Sequence, residues 1–209
     1  AHFLLATPDP DGGDMFGPPV LPTSLHIDPE HPVARRISAG ADPGLISVTR
    51  TPNEKTGRMR DQIVVDDIRK LNGFFQMSAT DGGRRVVIID AADDMNTQAA
   101  NALLKMLEEP PERCTLLLIT HQPSGLLPTI RSRCRTLRLG TLNGEQMNSA
   151  MVQAEVEADA NAAALAELAG GSVGEAMRLS LLGGLQIYTE IVGILGSLPN
   201  MDRARTLRL

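Results

Sequence analysis

Two uninterrupted apolar runs lie in the middle of the chain, 85–90 (RVVIID) and 115–120 (TLLLIT). Strands that are apolar on both faces are what a parallel sheet covered by helices requires. Between them, 96–109 places Ala99, Ala100, Leu103, Leu104 and Leu107 on one stripe, the period of an amphipathic helix. Asn96 can cap its start and Pro110-Pro111 must end it. Strand, helix, strand in that order predicts a βαβ unit. Upstream, 44–49 (GLISVT) predicts a short strand and 32–39 a short helix. Ile68, Leu71 and Phe75 mark the apolar face of another helix, after Ile63-Val64-Val65. Downstream, 134–139 predicts a further strand that closes this part.

After Gly140 the pattern changes. β-Branched runs stop, and alanine and leucine dominate. Asn143 with Gln146, and Ser172 with Glu175, have capping-box spacing. Three helices of roughly ten to fifteen residues fit into 143–182, and another at 184–197. The division expected is an α/β domain over 1–140, a small all-α domain over 141–182, and the start of a C-terminal helical region over 183–209. Five prolines and three glycines make 7–23 a loop. The chain opens Ala1-His2-Phe3-Leu4-Leu5-Ala6, like the tail of a helix, and its last residues stop inside a helical pattern. Both ends read as those of a piece excised from a longer protein.

Composition narrows the function classes. The 209 residues carry 25 acidic and 20 basic side chains, a formal charge of −5, with 42% hydrophobic residues. Those values argue against disorder, and no run approaches the ~20 apolar residues of a membrane span. Two cysteines, Cys114 and Cys134, leave no disulfide framework and point to a reducing cytoplasm. With no Trp, one Tyr and four Phe, there is little aromatic surface on which single-stranded bases would stack. A pI near 5.4 lacks the electrostatic footprint of an autonomous nucleic-acid binder.

Metal chemistry finds little support. His2, His26, His31, His121 and the two cysteines show no ligand spacing, so no zinc is expected. A Cys134–His121 nucleophilic pair is conceivable, although a cysteine at a strand start is more often a small buried apolar residue. Asp90 ends a buried strand, where open α/β sheets bind ligands. With Asp93 and Asp94 it could hold Mg²⁺ in a phosphohydrolase. Alternatively, Asp93 and Asp94 are solvated carboxylates near a helix N-terminus, where negative charge is favourable. A hydrophobic strand ending in Asp also describes a Walker B element. Here the next residue is Ala91, and no G-x-x-x-x-G-K-[ST] loop occurs in the 209 residues. Arg131, Arg133 and Arg135 cluster in TIRSRCR; they are either a solvated surface or an anion-recognition element.

Taken together, IIDAADDMNTQAANALLKMLEEPP (88–111) and LLLITHQPSGLLPTIRSRC (116–134) resemble the AAA+ subunits of DNA-polymerase clamp loaders. The resemblance covers roughly 29–182. It implies a parallel-sheet AAA+ domain, truncated at its N-terminus, followed by a helical lid. It puts Thr120 at the sensor-1 position and makes Ser132-Arg133-Cys134 the family's Ser-Arg-Cys motif. Two departures follow: the acidic pair of active loaders is Asp90-Ala91, and Gly174 stands where sensor 2 carries an arginine. Many relatives carry a four-cysteine zinc module aligned with about 8–35, where this chain has no cysteine.

A subunit of this kind would hydrolyse no ATP, hold no cofactor and offer Arg133 in trans to a neighbour's ATP site. Its partners would be gamma/tau- and delta-type loader subunits, with the sliding clamp and primed DNA reached through the complex. It would work in DNA replication as part of a DNA polymerase III holoenzyme, whose overall reaction is nucleotidyl transfer. Two alternatives stay open: an active gamma-type ATPase whose phosphate loop is cut off, and the Mg²⁺-dependent phosphohydrolase.

Overall fold

The computed structural model describes residues 1–7, 24–76, 83–154, 156 and 161–198. Most of the expected 7–23 loop and the last residues of the chain lie outside them. The chain divides into two compact units, Ala1–Thr136 and Leu137–Leu209.

The first unit runs α1 (His2–Ala6), α2 (Pro32–Ser38), β1 (Leu45–Val48), α3 (Val65–Gln76), β2 (Arg85–Ile89), a 3₁₀ turn (Ala92–Asp94), α4 (Thr97–Glu108), β3 (Cys114–Leu118), a second 3₁₀ turn (Pro123–Gly125) and α5 (Pro128–Arg131). The three strands form one parallel sheet in the order β1-β2-β3. Leu45 pairs with Val86, and Arg85 with Cys114. Parallel neighbours need a crossover connection, and α3 and α4 supply the two that the apolar stripes predict. The α/β class expected from the sequence is therefore present.

Helices and sheet share one core. Ile63, Ile68, Leu71, Ile89, Leu103 and Ile130 are fully buried in it, and each such side chain contributes about 1.5–3 kcal/mol by leaving water. On α3 it is Phe74 that is buried, whereas Phe75 packs only partly against the core. Asn96 caps α4 as expected, accepting the Ala99 N–H at 2.8 Å. Ile63 joins the two crossover helices: its N–H donates to the Asp94 carbonyl at 2.8 Å and its carbonyl accepts the Asn96 N–H at 3.0 Å.

The expected strand at 134–139 is not formed. Residues 135–140 are an exposed coil without secondary structure, with Leu137 and Leu139 more than 80% exposed. The alternation of this segment suits a strand, but a strand needs a neighbour to satisfy its backbone, and the described residues provide none.

The second unit contains α6 (Gly144–Gln153), α7 (Ala162–Leu168), α8 (Val173–Leu181) and α9 (Gly184–Gly196); α6 has the expected length, whereas α7 and α8 are shorter than expected. Met147, Met151, Leu165 and Ala176 form its core. Asn143 and Gln146 complete the predicted capping box. Ser172 caps α8, but Glu175 turns instead to Arg178, at 2.7 Å. α9 leaves Ile187, Ile191, Val192 and Leu195 about half exposed. No single helix among the described residues is long and apolar enough to cross a membrane.

Candidate functional site

The C-terminal ends of three parallel strands converge on one edge of the sheet, where α/β folds bind ligands. Thr49 and Arg50 follow β1, Asp90 and Ala91 follow β2, and Thr120 and His121 follow β3. Thr49, Arg50, Met59, Asp90, Ala91, Asp94 and His121 line an open cleft of about 390 Å³.

The three candidate magnesium carboxylates are committed to different tasks. Asp90 is exposed. Asp94 pairs with Arg50 at 3.3 Å. Asp93 turns away and accepts the backbone N–H groups of His121 and Gln122 at 3.3 and 3.1 Å. Burial pushes the Asp93 pKa up. Its own N–H, the Thr120 hydroxyl and those two amides outweigh burial and hold it below the usual carboxylate value. Among the described residues, no three His, Cys, Asp or Glu side chains are arranged to hold a metal ion. The Mg²⁺ phosphohydrolase reading therefore has no ligand cluster in this geometry.

Thr120 follows β3 with its hydroxyl oxygen buried. It lies beside the Asp93 carboxylate without a well-aligned hydrogen bond. Ala91 is buried and has no polar side chain to orient water. Gly174 is the second residue of α8, and a Cβ added there would meet nothing within 4 Å.

The Ser-Arg-Cys run occupies the turn after α5. Pro128 starts this short helix and buried Ile130 pins it to the core. The Arg133 N–H bonds the Ile130 carbonyl at 3.0 Å, fixing the backbone of the turn. The Ser132 hydroxyl donates to the Thr129 carbonyl at 3.1 Å, and Arg133 Nη1 donates to the same carbonyl at 2.9 Å. Arg133 Nη2 lies 2.8 Å from Glu108 Oε1, on the last turn of α4. The Arg133 side chain keeps 36% of its surface exposed. Arg131 and Arg135 are exposed as well.

Cys134 packs partly against the core, and burial pushes its thiol pKa up. A reactive cysteine needs the opposite shift, so the Cys134–His121 nucleophilic pair gains no support. Burial raises Cys114 in the same way, with Arg85 acting against it.

Sequence reasoning missed Glu108, Thr129 and Arg50, all of which touch candidate residues. Their partners are distant or in irregular turns, where periodicity carries no signal. It also missed Asp67, which is 3% exposed. Asp67 accepts the Thr51 hydroxyl at 3.0 Å, the Lys70 ammonium at 3.0 Å and the Val64 N–H at 3.2 Å. An acidic residue in the first turn of a helix was the available clue.

Comparison with known proteins gives this geometry a family. The model of the family described as "DNA polymerase III, delta subunit" matches residues 25–143, more than half of the chain. The DNA polymerase III subunit delta' of Pseudomonas aeruginosa is 49% identical over 98 residues, 47% of this chain and 28% of that protein. The subunit delta' of Escherichia coli K12 is 39% identical over 122 residues, 57% of this chain and 36% of that protein. A DNA polymerase III subunit gamma/tau of Mycobacterium tuberculosis H37Rv is 44% identical over 69 residues, 33% of this chain and 12% of that protein. The matched stretches thus span about a quarter to a third of these delta' relatives. The chain belongs to the DNA polymerase III delta-subunit family, and within it to the delta-prime type.

Proposed function

We propose that this chain is the part of a delta-prime subunit that supports ATP hydrolysis at a neighbour's site without hydrolysing ATP itself. Its role is to help load the sliding clamp onto primed DNA during replication in the cytoplasm. Its direct partners are gamma/tau- and delta-type loader subunits, through which it meets clamp and DNA.

The observation that carries this reading is a pattern of loss and retention. Ala91 follows Asp90 where a carboxylate would orient water, and Gly174 has no side chain to reach a γ-phosphate. Arg133, in contrast, is kept, with an anchored backbone and a partly exposed guanidinium. A guanidinium supplied in trans stabilises charge on a transferring phosphoryl group and can be worth about 10³–10⁵ in rate.

The chemistry needs only positioning from this chain. Arg133 would direct its free N–H donors at the phosphate oxygens of ATP held by the neighbour. The planar fork suits two oxygens at once. Ser132 and Cys134 hold the turn: one bonds the Thr129 carbonyl and the other packs on the core.

A gamma-type ATPase is the second reading, favoured by the match to a gamma/tau subunit. Ala91 and Gly174 weigh against it. The experiment that separates the two is purification of the full chain with gamma/tau- and delta-type subunits, followed by ATP turnover of each component and of the assembly. Turnover should belong to the assembly, should fall with Arg133→Ala, and should be absent from this chain alone. Turnover by this chain alone would favour the gamma-type reading.

A further inference from the structure

We propose that Glu108 is a positioning residue for Arg133, holding its guanidinium in the pose from which it would meet the neighbouring subunit's phosphate. This rests on the trans-arginine reading above and adds a residue to it.

Glu108 is the last residue of α4. Unpaired carbonyls give a helix C-terminus partial negative charge, so a carboxylate is the wrong sign there. Glu109 and Glu112 follow within four residues and add to the same charge. Helix formation alone gives no reason for Glu at this place. The Arg133 guanidinium supplies one: Nη2 sits 2.8 Å from Glu108 Oε1, the length of a charge-assisted hydrogen bond.

The second anchor comes from a different element. Nη1 donates to the Thr129 carbonyl of α5 at 2.9 Å. Two acceptors on two helices, one at each end of the fork, fix both the direction and the plane of the guanidinium. Of its five N–H donors, at least one on each terminal nitrogen is tied down, and the others are not used by these two contacts. Among the described residues, neither Arg131 nor Arg135 forms an ion pair, so this arrangement distinguishes Arg133 from its neighbours.

Orientation, rather than stability, is what the pair provides. Glu108 is 51% exposed and Arg133 36% exposed, and ion pairs at such sites add little to folding. Removing the Glu108 carboxylate therefore leaves the fold intact while freeing the guanidinium to sample other rotamers. Glu108→Gln keeps an oxygen acceptor in the same place. Glu108→Lys puts a like charge beside Arg133 and drives it away.

The test uses the full chain assembled with its loader partners, measuring clamp- and primed-DNA-stimulated ATP turnover as a function of ATP concentration. Glu108→Ala should lower kcat by about three- to tenfold with KM for ATP little changed, as misplacing a group that acts in the transition state does. Glu108→Gln should keep most of the rate, Glu108→Lys should approach Arg133→Ala, and adding Glu108→Ala to Arg133→Ala should cost nothing more. If Arg133→Ala slows the complex while Glu108→Ala leaves kcat unchanged or raises it, the positioning role is wrong and the trans-arginine reading stands. A further loss from Glu108→Ala in the Arg133→Ala background would also overturn it, because Glu108 would then act independently. Wild-type rates in both single variants would remove both readings together.

Discussion

Asp93 accepts the backbone N–H of Gln122 at 3.1 Å, so a carboxylate in the turn after β2 ties down the loop after β3. The residue that reads from sequence as a metal ligand is thus a clamp between two strand ends. Asp93→Ala should lower stability by about 1 kcal/mol, since it removes two hydrogen bonds to a carboxylate at exposed positions where water can replace the acceptor. Added Mg²⁺ should not shift the melting temperature of the wild type. A magnesium-dependent rise that Asp93→Ala abolishes would restore the metal reading.

Asp67 makes a similar clamp between α3 and the segment around Thr51. Burial pushes its pKa up, but Lys70, the Val64 amide and the Thr51 hydroxyl outweigh burial and leave it below the ordinary value. Asp93 shifts in the same direction. A carboxylate depressed on folding binds fewer protons in the native state than in the unfolded one, so stability rises with pH across that window. The contribution is complete above the unfolded value near pH 4 and disappears as pH falls through the depressed native value. Urea midpoints measured from pH 7 down to pH 2 should drop on the acid side, and Asp67→Asn should flatten that drop. An Asp67→Asn profile parallel to wild type would show that Asp67 contributes none of it.

Two glycines three residues apart should respond in opposite ways. Gly171 has φ +75°, and a Cβ there would lie 2.6 Å from the Leu142 backbone nitrogen. Gly171→Ala should destabilise the helical unit by at least ~1 kcal/mol through backbone strain, before any clash is counted. Gly174 has open space around it in the first turn of α8, so Gly174→Ala should stabilise by about 0.5 kcal/mol, mainly by restricting the unfolded chain. Thermal melts of both variants decide this. Equal shifts of one sign would contradict the local geometry.

Nucleotide binding offers a fourth check. The 209 residues contain no phosphate-loop sequence whose backbone N–H groups could cradle phosphates. Calorimetry of this chain with ATP and Mg²⁺ should show no micromolar binding. A micromolar isotherm would move the account toward the gamma-type reading.

The sequence reads well where one periodicity governs a segment. The continuous apolar runs of β2 and β3 and the helical stripe of α4 are set by burial against a single core, so their boundaries fall within a residue or two of the expected ones. It reads poorly where a segment depends on a partner. Residues 134–139 have strand-like alternation yet stay unpaired, because pattern alone supplies no neighbour. Phe74 and Phe75 are both compatible with the α3 stripe, and only packing selects Phe74. The Arg133–Glu108 contact joins positions 25 apart in sequence through the ends of two helices, which no local pattern encodes. The residue types at the site are legible, whereas their commitments are tertiary.

The central claim is that Arg133 acts on a neighbour's ATP. Its most direct test is the clamp- and primed-DNA-stimulated ATPase rate of the reconstituted loader carrying Arg133→Ala, Arg133→Lys or Arg131→Ala in the full chain. Assembly should be normal in all three. Arg133→Ala should reduce turnover strongly, Arg133→Lys should restore little because an ammonium lacks the planar two-pronged contact, and Arg131→Ala should stay near wild type. Unchanged turnover in both Arg133 variants, with normal assembly, would contradict the account and leave Arg133 a purely structural part of the turn.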